Sequence, residues 1–250
     1  MAGYQRTEIH RIKSYEVDKN QRLHLERLVN YAQDIAMAQG ESMGIGQGHL
    51  TDQGLAWVIV KFDIRLDRYP LYNEEIHVTT QPVGFHKLTA DRRFWFADRD
   101  QKTLGTIASQ WVMVDINKGR MKSIPEFYPK QYGFDFANNE KIVYDKVQMP
   151  DSWGTEAKER VKFSDLDFND HVNNGRYLRW IMDGFPEGFL DVHGVKRLQV
   201  SFKKEARLGE VVTLRTTLPG EDEPHSLVEM TSEKGESLVQ GRIDWFKFSE

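Results

Sequence analysis

The chain runs twice through one order of elements: a short strand, one helix and about four strands. This repetition restricts its fold more than any other feature. Leu25, Leu28, Val29, Ala32, Ile35 and Ala36 recur at three- and four-residue spacing, which predicts an amphipathic helix with Gly40 as its expected stop. Val172, Gly175, Leu178, Met182 and Phe185 repeat that spacing, and Pro186 ends the second helix. After the first helix come the strand-like segments AWVIVKFDIRL, EEIHVTTQ, KLTADRRFWFA and GTIASQWVMVD; after the second come RLQVSFKKEARL, EVVTLRTTL, HSLVEMTS and LVQGRIDWFKF. Asn117-Lys118-Gly119, Pro219-Gly220 and Lys234-Gly235 supply turns between them. Fragments match as well as patterns. YEVDKNQRLHLERLVNY (15–31) lies without gaps against SDLDFNDHVNNGRYLRW (164–180), and VKFDIRL (60–66) lies likewise against VSFKKEA (200–206).

A helix followed by antiparallel strands is an α+β unit whose curved sheet wraps the helix. That describes a hotdog fold, and its repetition predicts a tandem (double) hotdog with two long central helices, each wrapped by a curved antiparallel sheet. The stretch EKIVYDKVQMPDSWGTEA (140–157) reads as the connection. The expected organisation is an N-terminal domain at 1–142, a linker at 143–156 and a C-terminal domain at 157–250. Two unrelated α+β domains are the rival, and the repeat argues against them.

Composition narrows the chemistry. Apolar residues make up 39% and charged residues 29%, so a packed core is expected rather than disorder. The absence of cysteine excludes disulfides, thiolate metal sites and a cysteine nucleophile. The eight histidines form no HExxH or close pair, so neither a metal site nor a cofactor is expected. A net charge of −4 argues against general nucleic-acid binding. The longest apolar run, Leu55 to Val60, is far short of a membrane span. The N-terminus MAGYQRTEIHRIKSYEV has neither an apolar signal core nor a serine- and arginine-rich leader, which sets a cytoplasmic expectation. GIGQG (44–48) follows a helix and lacks the phosphate-loop lysine, so it reads as a helix exit.

The stretch DLDFNDHVNNGRYLRW (165–180) concentrates chemistry. If 165–171 is extended, Asp167, Asn169 and His171 share one face and Leu166 and Phe168 the other. A carboxylate, an amide and an imidazole would then meet where a helix begins, beside unpaired N–H groups suited to an oxyanion. Each residue alone is explained as readily by helix capping or by structure. The repeat acts as an internal control: Asp18 and Asn20 match Asp167 and Asn169, but Arg22 stands at the place of His171, and Arg65 aligns with Glu205. The asymmetry predicts one active site per chain, in the C-terminal half. Glu205 shares strand parity with Lys203 and Arg207, which turns it away from Val200 and Phe202.

DLDFNDHVNNGRYLRWI resembles the signature of the plant-type acyl-acyl carrier protein thioesterases, Asp-Leu-Asp-x-Asn-x-His-Val-Asn-Asn, and WVIVKFDIRLDRYP and SQWVMVDINKGRMKSIP are similar to further family segments in order. The resemblance covers about residues 8 to 247. It implies a double hotdog that hydrolyses fatty acyl thioesters of the carrier protein. The catalytic set it implies is Asp167, Asn169, His171 and, from the following strand, Glu205. The roles expected are carbonyl polarisation by Asn169, proton handling by His171, orientation or nucleophilic attack by Asp167, and positioning of water by Glu205. Plant members usually have a cysteine after that glutamate; here Ala206 excludes it. Asn173, Asn174, Met37 and Trp57 are the expected substrate contacts, with Met37 and Trp57 in an N-terminal acyl tunnel, although core packing also accounts for the latter two. Lys196, Arg197, Lys203, Lys204 and Arg207 could receive the acidic carrier protein. A monomer or a homodimer is expected. Competing readings are a coenzyme A thioesterase, a hotdog enzyme of another class such as a hydroxyacyl dehydratase, and a non-catalytic acyl-binding protein.

Overall fold

The computed structural model describes residues 3–167, 169–220 and 224–248. Contacts divide the chain into two units. One comprises Met1–Leu23, Leu28–Phe62 and Asp67–Val143; the other comprises Tyr144–Glu250 with His24–Arg27 and Asp63–Leu66.

The first unit holds β1 (Arg6–Arg11), most of α1 (Leu25–Ser42), α2 (Gln47–Asp52), most of β2 (Leu55–Leu66), β3 (Glu75–Phe85), β4 (Thr89–Asp98), β5 (Thr103–Asp115), the short β6 (Arg120–Lys122) and α3 (Phe127–Gln131). Its sheet order is β1-β3-β4-β5-β2, with β6 folded back on β5. The second unit holds β7 (Thr155–Arg160), α4 (Asn174–Asp183), α5 (Phe189–Val192), β8 (His193–Phe202), β9 (Val211–Thr216), β10 (His225–Thr231) and β11 (Ser237–Lys247). Its order is β7-β9-β10-β11-β8, antiparallel throughout. Strand for strand the second order repeats the first, so the duplication extends to topology.

Period-two burial makes the sheets. In β3 Ile76, Val78 and Thr80 are buried in alternation before the fully buried run 82–85; in β10 the buried residues are Ser226, Val228 and Met230. The helices lay their apolar stripes inward through Leu28, Val29, Ala32 and Ile35 of α1 and Leu178 and Ile181 of α4, all under 1% exposed. Each of these Leu, Val and Ile side chains contributes about 1.5–3 kcal/mol of burial. In the first unit Leu55, Phe85, Met113, Tyr128 and Phe134 form a further buried cluster with Trp57 packed against it.

Three elements differ from expectation. α1 does not stop at Gly40, which lies inside it and is buried; it runs to Ser42. The stop is Gly44, at φ +70, whose N–H bonds Glu41 O while Ile45 N–H returns to Gly40 O. The GIGQG stretch is thus the joint between α1 and α2, closed by Glu41 Oε1 accepting from Gln47 N–H at 2.7 Å. The second helix is only 10 residues long, against 18 for the first. Strand β7 begins at Thr155, two residues before the expected start of the second domain. Among the described residues no helix is long and apolar enough to cross a membrane.

Candidate active site

The segment leading into α4 is not extended. Phe163–Asp165 forms a 3-10 turn in which Asp165 accepts the Lys162 N–H at 2.7 Å. The chain then reverses through Asp170 at φ +65, and Asp167 N–H closes the reversal on His171 O at 2.8 Å. Leu166 and Val172 face each other across it as an isolated bridge. The Asp167 carboxylate is the centre of this turn: its Oδ1 accepts from Asn169 N–H at 2.8 Å and His171 N–H at 3.3 Å. It therefore fixes the backbone of His171, while the imidazole faces elsewhere. The expected shared face of an extended strand is replaced by a tight hairpin, because a short acceptor side chain and a left-handed residue together favour reversal. Phe168, expected on the opposite face, lies outside the described residues.

The first half builds the same turn from different residues. Glu16 accepts Lys13 N–H at 2.8 Å, Gln21 sits at φ +63, and Asp18 N–H bonds Arg22 O at 2.8 Å. Asp18 Oδ1 accepts from Asn20 N–H and Arg22 N–H at 2.8 and 2.9 Å. Asp18 and Asp167 are turn-builders in both copies.

The partner loops are also duplicates, and they correct the equivalence drawn from sequence. β8 ends at Phe202, so Glu205 is not on a strand but in the loop 203–210 before β9. The counterpart loop, 67–74, has equal length between β2 and β3. Lys203 and Lys204 N–H share Leu238 O as Asp67 and Arg68 share Leu104 O. Glu210 Oε2 accepts Arg207 N–H and Glu74 Oε2 accepts Leu71 N–H, each at 2.9 Å, and the preceding Gly209 and Asn73 lie at φ +83 and +65. These matches set Tyr69 opposite Glu205 and Pro70 opposite Ala206. Arg65, still within β2, is not the counterpart; the ungapped match of VKFDIRL with VSFKKEA is four residues out of step.

At the paired positions the copies part. In the first, the Arg22 guanidinium lies 6.0 Å from the Tyr69 ring centroid and bonds Asp18 Oδ2 at 2.8 Å. Backbone bonds from Leu23 N–H to Pro70 O and from Tyr72 N–H to Gln21 O, 2.9 Å each, join turn to loop. Among the described residues those bonds have no counterpart in the second copy. There, side chains make the contact: His171 Nε2 is 3.3 Å from Glu205 Oε2, both half-exposed, and the Tyr177 hydroxyl accepts Ala206 N–H at 2.9 Å. Burial, with the charges of Glu205 and Glu210 adding to it, pushes the Tyr177 phenol up to about 12. A carboxylate, an imidazole and an amide at an open rim can hold water and move a proton.

The other expected residues divide. Asn173 caps α4, its Oδ1 accepting Gly175 N–H at 2.8 Å. Asn174 Nδ2 is buried and has no acceptor among the described residues. Trp57 makes an edge contact with Tyr128, 6.2 Å between ring centroids. Met37 on α1 is 38% exposed, outside the buried cluster. Of the basic set, Arg197 is committed to Asp63 at 2.7 and 2.9 Å and to Asp145 at 2.9 Å, and Lys204 pairs with Glu236. Lys196, Lys203 and Arg207 remain exposed. Sequence reading missed Tyr177 and Tyr69. The available signal was the glutamate of each loop preceded by a turn residue, Asn73-Glu74 and Gly209-Glu210, which registers the loops correctly.

A profile of the acyl-ACP thioesterase N-terminal domain matches residues 3–132, and one of the acyl-ACP thioesterase C-terminal domain matches residues 150–247. The chain is 27% identical over 258 residues to the chloroplastic palmitoyl-acyl carrier protein thioesterase of Gossypium hirsutum, covering 94% of this chain and 62% of that protein. It is 25% identical to the chloroplastic dodecanoyl-[acyl-carrier-protein] hydrolase of Cinnamomum camphora, covering 94% and 65%. The chain thus spans less than two thirds of the length of these relatives. A Lactobacillus plantarum structure, provisionally named an oleoyl thioesterase, superposes with a TM-score of 0.89 at 26% identity over 99% of this chain and 98% of that one. The 12:0-ACP thioesterase of Umbellularia californica does so with a TM-score of 0.85 at 18% identity, over 99% of each. The fold is the α+β double hotdog of these proteins.

Proposed function

The chain belongs to the acyl-acyl carrier protein (ACP) thioesterase family, and from that premise we propose that it hydrolyses fatty acyl-ACP thioesters to free fatty acid and ACP, ending chain elongation. The observation that carries the reading is the His171–Glu205 pair, 3.3 Å apart, at a position where the duplicate half has Arg22 and Tyr69.

In the proposed reaction Glu205 accepts the Nε2–H of His171, which leaves Nδ1 as the basic nitrogen. Nδ1 takes a proton from water as the water oxygen attacks the thioester carbonyl carbon. The Asn169 amide, with N–H groups near the start of α4, holds the oxyanion. When the C–S bond breaks, the imidazolium returns its proton to the leaving thiolate. Asp167 keeps His171 and Asn169 in register through the turn. The buried Nδ2, with no acceptor among the described residues, supports Asn174 as a donor to substrate. The acyl chain lies in the N-terminal unit with Trp57 and Met37 among its contacts, and Lys196, Lys203 and Arg207 receive the acidic carrier.

The test is thiol release from panels of acyl-ACP and acyl-coenzyme A. Release from ACP sustains the reading, preference for coenzyme A overturns the carrier assignment, and no release from either overturns the reaction. Single turnover in 18O-water distinguishes the routes: label in an enzyme carboxylate would replace direct attack by water with an anhydride at Asp167 or Glu205.

A further inference from the structure

We propose that Tyr177 is a positioning residue: its hydroxyl, by accepting the Ala206 N–H, holds the loop that carries Glu205 at pairing distance from His171. This rests on the hydrolase reading above and adds to it a residue outside the signature's polar set.

Among the described residues the other backbone hydrogen bonds of the loop 203–210 lie toward its ends. Lys203 and Lys204 bond Leu238 O, Gly209 N–H bonds Val161 O, and Glu210 closes on Arg207 N–H. Glu205 and the buried Ala206 lie in the span between, and the 2.9 Å bond to the Tyr177 hydroxyl ties that span to α4. Tyr177 stands in the first turn of α4, 2% exposed, its ring edge-on to Trp180 at 5.4 Å and tilted against Phe202 at 5.8 Å. The same helix starts three residues after His171. One rigid ring therefore spans from the helix behind His171 to the residue after Glu205.

The duplicate half shows that the hydroxyl is not needed to build this loop. There Pro70 replaces Ala206 and has no N–H to satisfy, and Leu28, buried at 0% exposure, replaces Tyr177. Donor and acceptor are absent together where Arg22 and Tyr69 stand, and present together where His171 and Glu205 stand. The phenol, held up at about 12, keeps its own proton while its oxygen accepts. Its anion would face the charges of Glu205 and Glu210.

The experiment uses the full chain with Tyr177→Phe, Glu205→Gln and the double variant. Three readouts are taken: kcat and KM on acyl-ACP, thermal unfolding, and the imidazole chemical shifts of His171 without substrate. The expected result is a fall in kcat of about 10- to 100-fold, the scale for a displaced reacting group, with KM within about twofold. The double variant should be no slower than Glu205→Gln alone, and the His171 shifts of Tyr177→Phe should move toward those of Glu205→Gln. Wild-type kcat, multiplicative losses in the double variant, or unmoved His171 shifts would each overturn the proposal. Should Tyr177→Phe not fold, Ala206→Pro deletes the same bond from the other side with the residue the duplicate loop already carries, and the same outcomes apply. The chemical shifts report on Glu205 placement even in a protein that hydrolyses nothing. If Glu205→Gln leaves kcat unchanged, the mechanism fails while the shifts still decide the role of Tyr177.

Discussion

His171 and Glu205, 3.3 Å apart, occupy the two positions at which the duplicated half stacks Arg22 over the ring of Tyr69. Two copies of one scaffold thus carry a half-exposed ionisable pair in one case and a partly buried cation–π contact in the other. If the first contact is chemical and the second structural, equivalent truncations must separate. His171→Ala should lower kcat for thioester hydrolysis by about 10²–10⁴-fold, the usual worth of a positioned acid–base group, with little change in unfolding temperature. Arg22→Ala should leave kcat within about twofold and lower stability by about 1 kcal/mol, a typical cation–π contribution. Parallel steady-state kinetics and thermal melts check both; a rate loss shared equally by the two variants would contradict the assignment.

Asp167 and Asp18 offer a finer separation, because each accepts two backbone N–H groups of its own turn. Asparagine retains a side-chain oxygen acceptor but not the charge. Asp18→Asn should therefore leave both stability and rate near wild type, apart from the weakened Arg22 pair. Asp167→Asn should likewise fold as wild type. Asp167→Ala should cost about 1 kcal/mol for the lost turn bonds and lower kcat by misplacing His171. Full activity in Asp167→Asn would confine Asp167 to turn-building; a loss of about 10²-fold at unchanged stability would require its charge in the reaction. Denaturant unfolding and kcat on the same preparations read both.

How much of this was legible in the chain is seen in which residues were found. The order of helices and strands followed from helical and period-two spacing because those patterns are set by burial, as in β10, and the repeat of that order pointed to the double hotdog. The turn alignment from Asp18 and Asp167 held to the atom because Asx acceptors and positive-φ residues act locally. The end of β8 and the counterpart of Glu205 were misread for the opposite reason. Where a strand stops depends on Lys203 and Lys204 sharing Leu238 O, a long-range contact that VSFKKEA does not encode. Tyr177 was invisible for the same reason: its partner is a backbone N–H 29 residues away.

Glu74, the loop-closing residue of the first unit, gives a pH prediction. The bond from Arg68, 2.9 Å from Nη1 to Oε2, holds its carboxyl below the ordinary range, while burial works the other way. A carboxyl lowered on folding adds stability that is complete above its unfolded value, about 4.3, and is lost as pH falls through the folded value. Glu74→Gln should thus be less stable than wild type by about 1 kcal/mol at pH 7, since the half-exposed Arg68 is screened by solvent. The gap should close below about pH 4. Urea unfolding at pH 7 and pH 3 measures it; an equal gap at both would deny the charged bond its role.

Arg92 poses the last test, in the core of the first unit. It is 6% exposed, and its partners are neutral: Nη1 donates to Gln39 Oε1 at 2.6 Å and Thr80 Oγ1 at 2.9 Å, with the guanidinium 5.2 Å over the Tyr132 ring. Burial pulls its ionisation down, so among the described residues the charged form is held by those neighbours rather than by a counter-ion. Stranding that charge should therefore cost more than removing it. Gln39→Leu takes away the shortest acceptor and also the donor to Tyr4 O, and should destabilise by about 3 kcal/mol. Arg92→Met replaces charge with an apolar chain of similar length and should lie within about 1 kcal/mol of wild type, as apolar replacement of buried ions often does. Chemical unfolding of both variants settles the order: a larger loss from Arg92→Met than from Gln39→Leu would mean the guanidinium is a net source of stability rather than a charge tolerated by its neighbours.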